Sequence, residues 1–154
     1  MMKIWVDADA CPGAVKDIIT TAAYRKSIEA VFVANKAIAL PESPLLSCVV
    51  VDMSADAADR YIAEGAVAGD LVITQDIPLA HILVHNDVMV INPRGDKFTA
   101  DNIGERLSIR NLLQDVRDTG EITGGPKPFG DREKRAFAAT FDRELTRLIR
   151  SSKT

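Results

Sequence analysis

An α/β fold is predicted, with a mostly parallel sheet between two layers of helices, on three observations. Five short apolar, β-branched runs recur along the chain. Amphipathic helical patterns lie between them, and Gly or Pro punctuates the joins. Near-continuous apolar strands of this kind suit a sheet covered on both faces. Strand and helix alternation implies parallel pairing with crossover helices.

The runs fall at residues 3–7, 29–34 ("EAVFVA"), 48–52 ("CVVVD"), 70–74 ("DLVIT") and 88–91 ("VMVI"). A first helix over 12–26 places Val15, Ile18, Ile19, Ala22 and Ala23 on one face, with Pro12 in its first turn. Ser54 can cap a second helix over about 55–64, which Gly65 ends. Pro78 opens a third over about 78–86, and Thr99 can cap a fourth over about 100–118. Residues 35–47 read mostly as loop. The Gly- and Pro-rich "TGEITGGPKPFGD", 119–131, is too long for a simple connector. A last helix over about 131–150 lines up Phe137, Phe141, Leu145 and Leu148 as a core stripe.

At 154 residues and 47% hydrophobic, the chain suits one domain, 1–154, with 99–154 a helical extension packed on it. No apolar run is long enough to cross a bilayer, and the N-terminus lacks the shape of a signal peptide. Two cysteines and no CxxC argue against a zinc site and for a reducing, cytoplasmic setting. Net charge is −3 but uneven. Residues 1–93 carry 6 basic and 12 acidic residues, net −6, and 94–154 carry 13 and 10, net +3. That split suits a carboxylate site in the front half and an anion-gripping back half, or an ordinary solvated surface.

The chemistry starts at "KIWVDADACPG", 3–13, where a buried strand runs into Asp7 and Asp9. Ligands of open parallel sheets bind beyond the carboxyl ends of the strands. Asp7 and Asp9 fall at such an end, and Asp76 lies two residues past the strand that ends at Thr74. Asp59, and Asp56 one turn earlier, ride on the helix that feeds that strand. Converging carboxylates repel one another unless a cation joins them, and their hard oxygens suit Mg²⁺ or Mn²⁺. The bland alternatives are an N-cap for Asp9, a dipole partner for Asp56 and a turn residue for Asp70.

Arg106, Arg110 and Arg117 lie within about 40° of one another on the fourth helix. Ile109, Leu113 and Val116 flank them on one side, Ile103 and Leu107 on the other. Such arginines either reach the acidic rim or a substrate phosphate, or snorkel to water. The backbone N–H groups of "TGGPKP", 123–128, could wrap an anion together with Lys127, and Arg94 in "NPRG" is a further candidate to contact phosphate. Cys11, near a helix start, is either a thiol of lowered pKa or a packing residue. His81 and His85 share a helix face without a third ligand.

"VDADACP" at 6–12, "DAAD" at 56–59, "GDLVITQDIPLA" at 69–80, "NPRG" at 92–95 and "TGGPKPF" at 123–129 together resemble the bacterial YaiI/YqxD family over nearly the whole chain. That family looks like a branch of the PIN-like, metal-dependent nucleases. The resemblance implies a three-layer PIN-like sandwich and an acid at the first strand end, Asp7. It also implies an acid before the fourth strand, Asp59 or Asp56, and a Thr-x-Asp motif, Thr74 and Asp76. Asp9 resembles a second first-strand acid of some branches.

Three functions are therefore weighed. The first is a Mg²⁺- or Mn²⁺-dependent nuclease or phosphodiesterase acting on RNA or DNA. In it Asp7, Asp9, Asp59 and Asp76 hold the metal, with Asp56 as a further ligand. Thr74, Arg94, Arg106, Arg110 and Lys127 contact substrate. The second is a haloacid dehalogenase-type phosphatase, with Asp7 as nucleophile and Asp9 as general acid. The third is a nucleic-acid- or nucleotide-binding module without chemistry. A homo-oligomer is compatible with each, and no membrane partner is expected.

Overall fold

The computed structural model describes residues 2–54, 56–118 and 128–152. Six strands form one sheet: β1 (Lys3–Asp7), β2 (Glu29–Ala34), β3 (Leu46–Val50), β4 (Leu71–Ile73), β5 (Met89–Ile91) and β6 (Lys97–Phe98). Their order across the sheet is β3-β2-β1-β4-β5-β6. The first five are parallel, and β6 turns back antiparallel on β5. The helices are α1 (Gly13–Lys26), α2 (Ala57–Gly65), α3 (Ile77–Val84), α4 (Ile103–Asp118) and α5 (Asp131–Ser152). The expected α/β sandwich and its mostly parallel sheet are what the chain forms.

Strand pleating sends alternate residues to opposite faces, and this splits the core in two. Ile4, Val6, Phe32, Ile73 and Ile91 meet Val15 and Ile19 of α1 and Phe137, Phe141 and Leu145 of α5. Trp5, Val31, Val33, Val72 and Val90 meet Ile62 of α2, Leu79 and Leu83 of α3 and Ile103 at the start of α4. The C-terminal stripe is core, as its spacing indicated.

Several boundaries differ from expectation for local reasons. The expected cap Ser54 bonds the Asp52 carboxylate through both its N–H and its hydroxyl. Helix α2 therefore begins later, with Asp56 at its N-cap position. Gly65 does end α2, and a Cβ there would come within 2.5 Å of the Trp5 ring. Pro78 is not the first residue of α3: Asp76 is its N-cap, and Asp76 Oδ1 accepts from the Leu79 N–H. Thr99 and Asn102 exchange side-chain bonds to each other's N–H groups, so a turn precedes α4. Strand β6 is too short, at two residues, to register as a periodic run.

Asp70 does more than turn the chain. It is 3% exposed and accepts from the Lys3 N–H, the Trp5 indole N–H and the Val67 N–H. It thus ties the start of β1 to the turn before β4.

Candidate functional site

In the order β3-β2-β1-β4-β5-β6, the strands turn outward in opposite directions from the β1/β4 boundary. That boundary is where a crevice opens beyond the carboxyl ends of a parallel sheet. A pocket of about 220 Å³ lies there, walled by Asp7, Asp9, Asn35, Asp52, Asp59 and Asp76 among others. The four carboxylates chosen from the sequence share it. Asp52, which sequence reading passed over, joins them. Its signal was available, because "CVVVD" ends an apolar run in an aspartate as "KIWVD" does, although β3 itself stops at Val50.

Each acid is held by a local device. The Asp7 carboxylate, at the end of β1, accepts from the Thr74 hydroxyl at 3.0 Å. The same Thr74 oxygen accepts from the Asp76 N–H at 3.0 Å. Asp9 sits on a 3-10 turn, Ala8–Ala10, that carries it out of the strand. Both its oxygens accept from the Asn35 N–H just past β2, at 3.0 and 3.1 Å. It does not cap α1, whose N-cap residue is Pro12. Asp59 comes up from the first turn of α2.

Burial raises the Asp7 pKa, the Thr74 bond opposes that, and the negative charges of Asp76 and Asp9 add to it. The Asp59 carboxyl is pushed up to about 7, first by burial, then by a hydrogen bond shared with Asp76 and the charges of Asp76, Asp7 and Asp56. Near neutral pH, Asp59 therefore carries a proton part of the time, which relieves the crowding. Among the described residues, no group of three or more His, Cys, Asp or Glu side chains is arranged to hold a metal ion as it stands. The donor set is nonetheless all hard oxygen, and a cation would relieve the same repulsion as the proton on Asp59.

The remaining candidates are dispersed. Asp56 is outside the pocket wall and pairs with Arg60 at 3.5 Å. Arg94, in the β5–β6 turn, lies 3.8 Å from Glu133. Arg106 does not reach the acidic rim: it pairs with Asp96 at 3.5 Å and lies over the Phe98 ring at 5.5 Å. Arg110 is exposed on α4; on one shoulder of the stripe Ile109 and Leu113 are 47% and 38% exposed, while on the other Ile103 is buried and Leu107 half-buried. The side chains of Val116 and Arg117, and all of Lys127, lie outside the described residues.

Cys11 is buried, and loss of hydration pushes its thiol up to about 12, so the activated-thiol reading is overturned. The rings of His81 on α3 and His85 at its C-cap lie 4.5 Å apart, tilted by 42°. No described helix is long and apolar enough to cross a membrane.

The family model described as an uncharacterised one, YaiI/YqxD, matches residues 5–147. A UPF0178 protein of Myxococcus xanthus (strain DK1622) is 52% identical over 150 residues, 97% of this chain and 98% of its own length. One of Syntrophobacter fumaroxidans is 54% identical over 149 residues, 97% of each chain. One of Pseudomonas fluorescens (strain Pf0-1) is 50% identical over 151 residues, 98% of this chain and all of its own. No solved structure gives a significant match.

Proposed function

We propose that this chain, which belongs to the YaiI/YqxD family, is a divalent-cation-dependent phosphodiesterase acting on RNA or DNA. The observation that carries the reading is the meeting of Asp7, Asp9, Asp59 and Asp76 in one pocket, from β1, the turn after it, α2 and the start of α3. The resemblance of the motifs that carry these acids to those of PIN-like nucleases agrees with it.

Asp7, Asp9, Asp59 and Asp76 would hold Mg²⁺ or Mn²⁺. When bound, such an ion supplies positive charge to a phosphoryl oxygen and acidifies a water. The chain's own residues do the rest. Thr74 orients Asp7, the Leu79 N–H fixes Asp76, and the Asn35 N–H fixes Asp9. Asp59, with a pKa of about 7, can give up its proton near neutral pH, which leaves a full set of carboxylates or a base for water.

The phosphatase alternative asks for a lysine beside Asp7, and none is among the described residues that wall the pocket. Asp9, meant there as a general acid, is instead held by the Asn35 N–H, which donates to both of its oxygens.

The test is cleavage of labelled single-stranded RNA and DNA in Mn²⁺. Wild type is expected to cut, EDTA to stop it, and Asp7→Asn to lower the rate by about a thousandfold or more, as expected when a charge-stabilising ion is lost. Equal rates for Asp7→Asn and wild type would refute the assignment.

A further inference from the structure

A second charged feature lies away from the acidic pocket. Glu144 of α5 is 1% exposed, yet three cations converge on it. Lys97 Nζ is at 3.2 Å, Arg143 Nε at 3.2 Å and Arg147 Nη1 at 3.4 Å. One carboxylate cannot neutralise three cations, so the cluster carries an excess of positive charge. Arg143 and Arg147 are more than half exposed and spend one N–H each on Glu144. A guanidinium has five N–H donors in a planar fork, so most remain for another acceptor.

Arg150 continues the same helix face, three residues beyond Arg147. Arg143, Arg147 and Arg150 wall a cleft of about 540 Å³ together with Thr146, Ser151 and one carboxylate, Asp142, so three cations face one acid there. Glu144 holds the first two guanidinium groups from below, which cuts the entropy cost of gripping an anion. A buried acid that gathers arginines around an open cleft is the chemistry of a phosphate cradle.

The cluster is joined to the acidic rim. Val6, Ile73, Ile91 and Lys97 are successive partners across β1, β4, β5 and β6. Lys97 is thus level with the end of β1, three strand spacings or roughly 14 Å along the rim. From there α5 descends: Ala136 abuts Gly95 at the rim, and Ser151 reaches Met2 and Asp70 at the far end of the sheet. Arg143 to Arg150 adds about 10 Å along the helix.

We propose that the Arg143–Arg147–Arg150 cleft anchors the phosphodiester backbone of a nucleic acid whose other end occupies the acidic pocket. This rests on the phosphodiesterase reading for the pocket, and not for the anchor itself. The whole path is about 25 Å long, well within the reach of a single strand of about 12 nucleotides.

The experiment is fluorescence anisotropy of labelled single-stranded oligonucleotides with the full chain in EDTA, so that neither cleavage nor metal enters. The variants are Arg150→Ala, which leaves the Glu144 cluster intact, and Arg147→Ala, each checked for a native circular dichroism spectrum. For an oligonucleotide of about 12 residues, each variant should weaken binding several-fold and lower the salt slope by about 0.7, the value for one phosphate contact on a single strand. An oligonucleotide of about 3 residues should bind more weakly than the longer one, because it cannot contact the cleft and the rest of the path at once.

Unchanged affinity and salt slope in Arg150→Ala would overturn the anchor, as would absence of binding by wild type. Competition by inorganic phosphate without any dependence on oligonucleotide length would mark a small-anion site and overturn it too. Binding that responds to Arg150→Ala without cleavage in Mn²⁺ would sink the hydrolase while leaving the anchor. Cleavage that ignores the arginines would do the reverse.

Discussion

The Thr74 hydroxyl donates to Asp7 Oδ2 at 3.0 Å and at once accepts from the Asp76 N–H at 3.0 Å. One small side chain at the end of β4 thereby sets the orientation of acids from two elements.

Thr74→Val keeps the shape and removes both bonds. Asp7 loses the interaction that opposes its raised pKa, so its carboxyl should titrate higher still. A stability loss of about 1–3 kcal/mol is expected for a hydrogen bond to a charged group. Carboxyl NMR titration and urea unfolding check the two parts. Thr74→Ser should restore both.

Asp59 titrates at about 7 in the folded chain against 3.8 for the ordinary carboxyl. Between those values the folded state holds a proton that the unfolded state has lost. Stability is therefore full below the lower value and falls as pH rises through the upper one. Asp59→Asn should match wild type at about pH 4 and exceed it at about pH 8 in melting temperature. Equal pH profiles for the two would contradict the raised Asp59 value. Added Mn²⁺ should stabilise wild type at the higher pH and not the variant.

Gly95 has φ +94°, and a Cβ there would lie 2.7 Å from the backbone of Ala136. Its carbonyl also accepts from the Thr140 hydroxyl at 2.7 Å. Gly95→Ala combines backbone strain with overpacking and should cost about 3 kcal/mol in urea unfolding. Gly13, with nothing near the corresponding Cβ, should accept Ala within about 1 kcal/mol either way.

Glu144→Gln leaves Lys97, Arg143 and Arg147 facing one another over a neutral group. A loss of about 2 kcal/mol is expected near neutral pH. The hydrogen bonds and charges of these three partners outweigh burial and hold the Glu144 pKa below the usual range. Its contribution is present above the unfolded carboxyl value and fades as pH falls through the folded one. Wild type and Glu144→Gln should thus converge in stability in acid, which chemical unfolding across pH would check.

Asp70→Ala removes the acceptor for Trp5, Lys3 and Val67. A buried indole N–H left without a partner costs about 1–3 kcal/mol by itself, so the variant should lose at least that in unfolding experiments. A change in the fluorescence of the one tryptophan should accompany it.

Much of this was legible in the order of residues. Period and composition carried the five parallel strands, because a strand buried on both faces must be apolar along its length. The strand-end rule marked Asp7, Asp9 and Asp76, and applied once more it would have marked Asp52. The two-residue β6 left no periodic trace. The arginine stripe of α4 misled because its spacing marks a shared face and not what covers that face. Glu144 drew no attention, since a glutamate on a charged helix looks solvated until Lys97, 47 residues away, is seen beside it.

The sequence by itself determined the layered architecture and the type of side chain at the strand ends, both being consequences of local periodicity and polarity. Only the tertiary structure decided which acids share one pocket and which cations gather on Glu144. Charge interactions depend on distances between segments remote in the chain, and those distances exist only once the two cores have closed on the sheet.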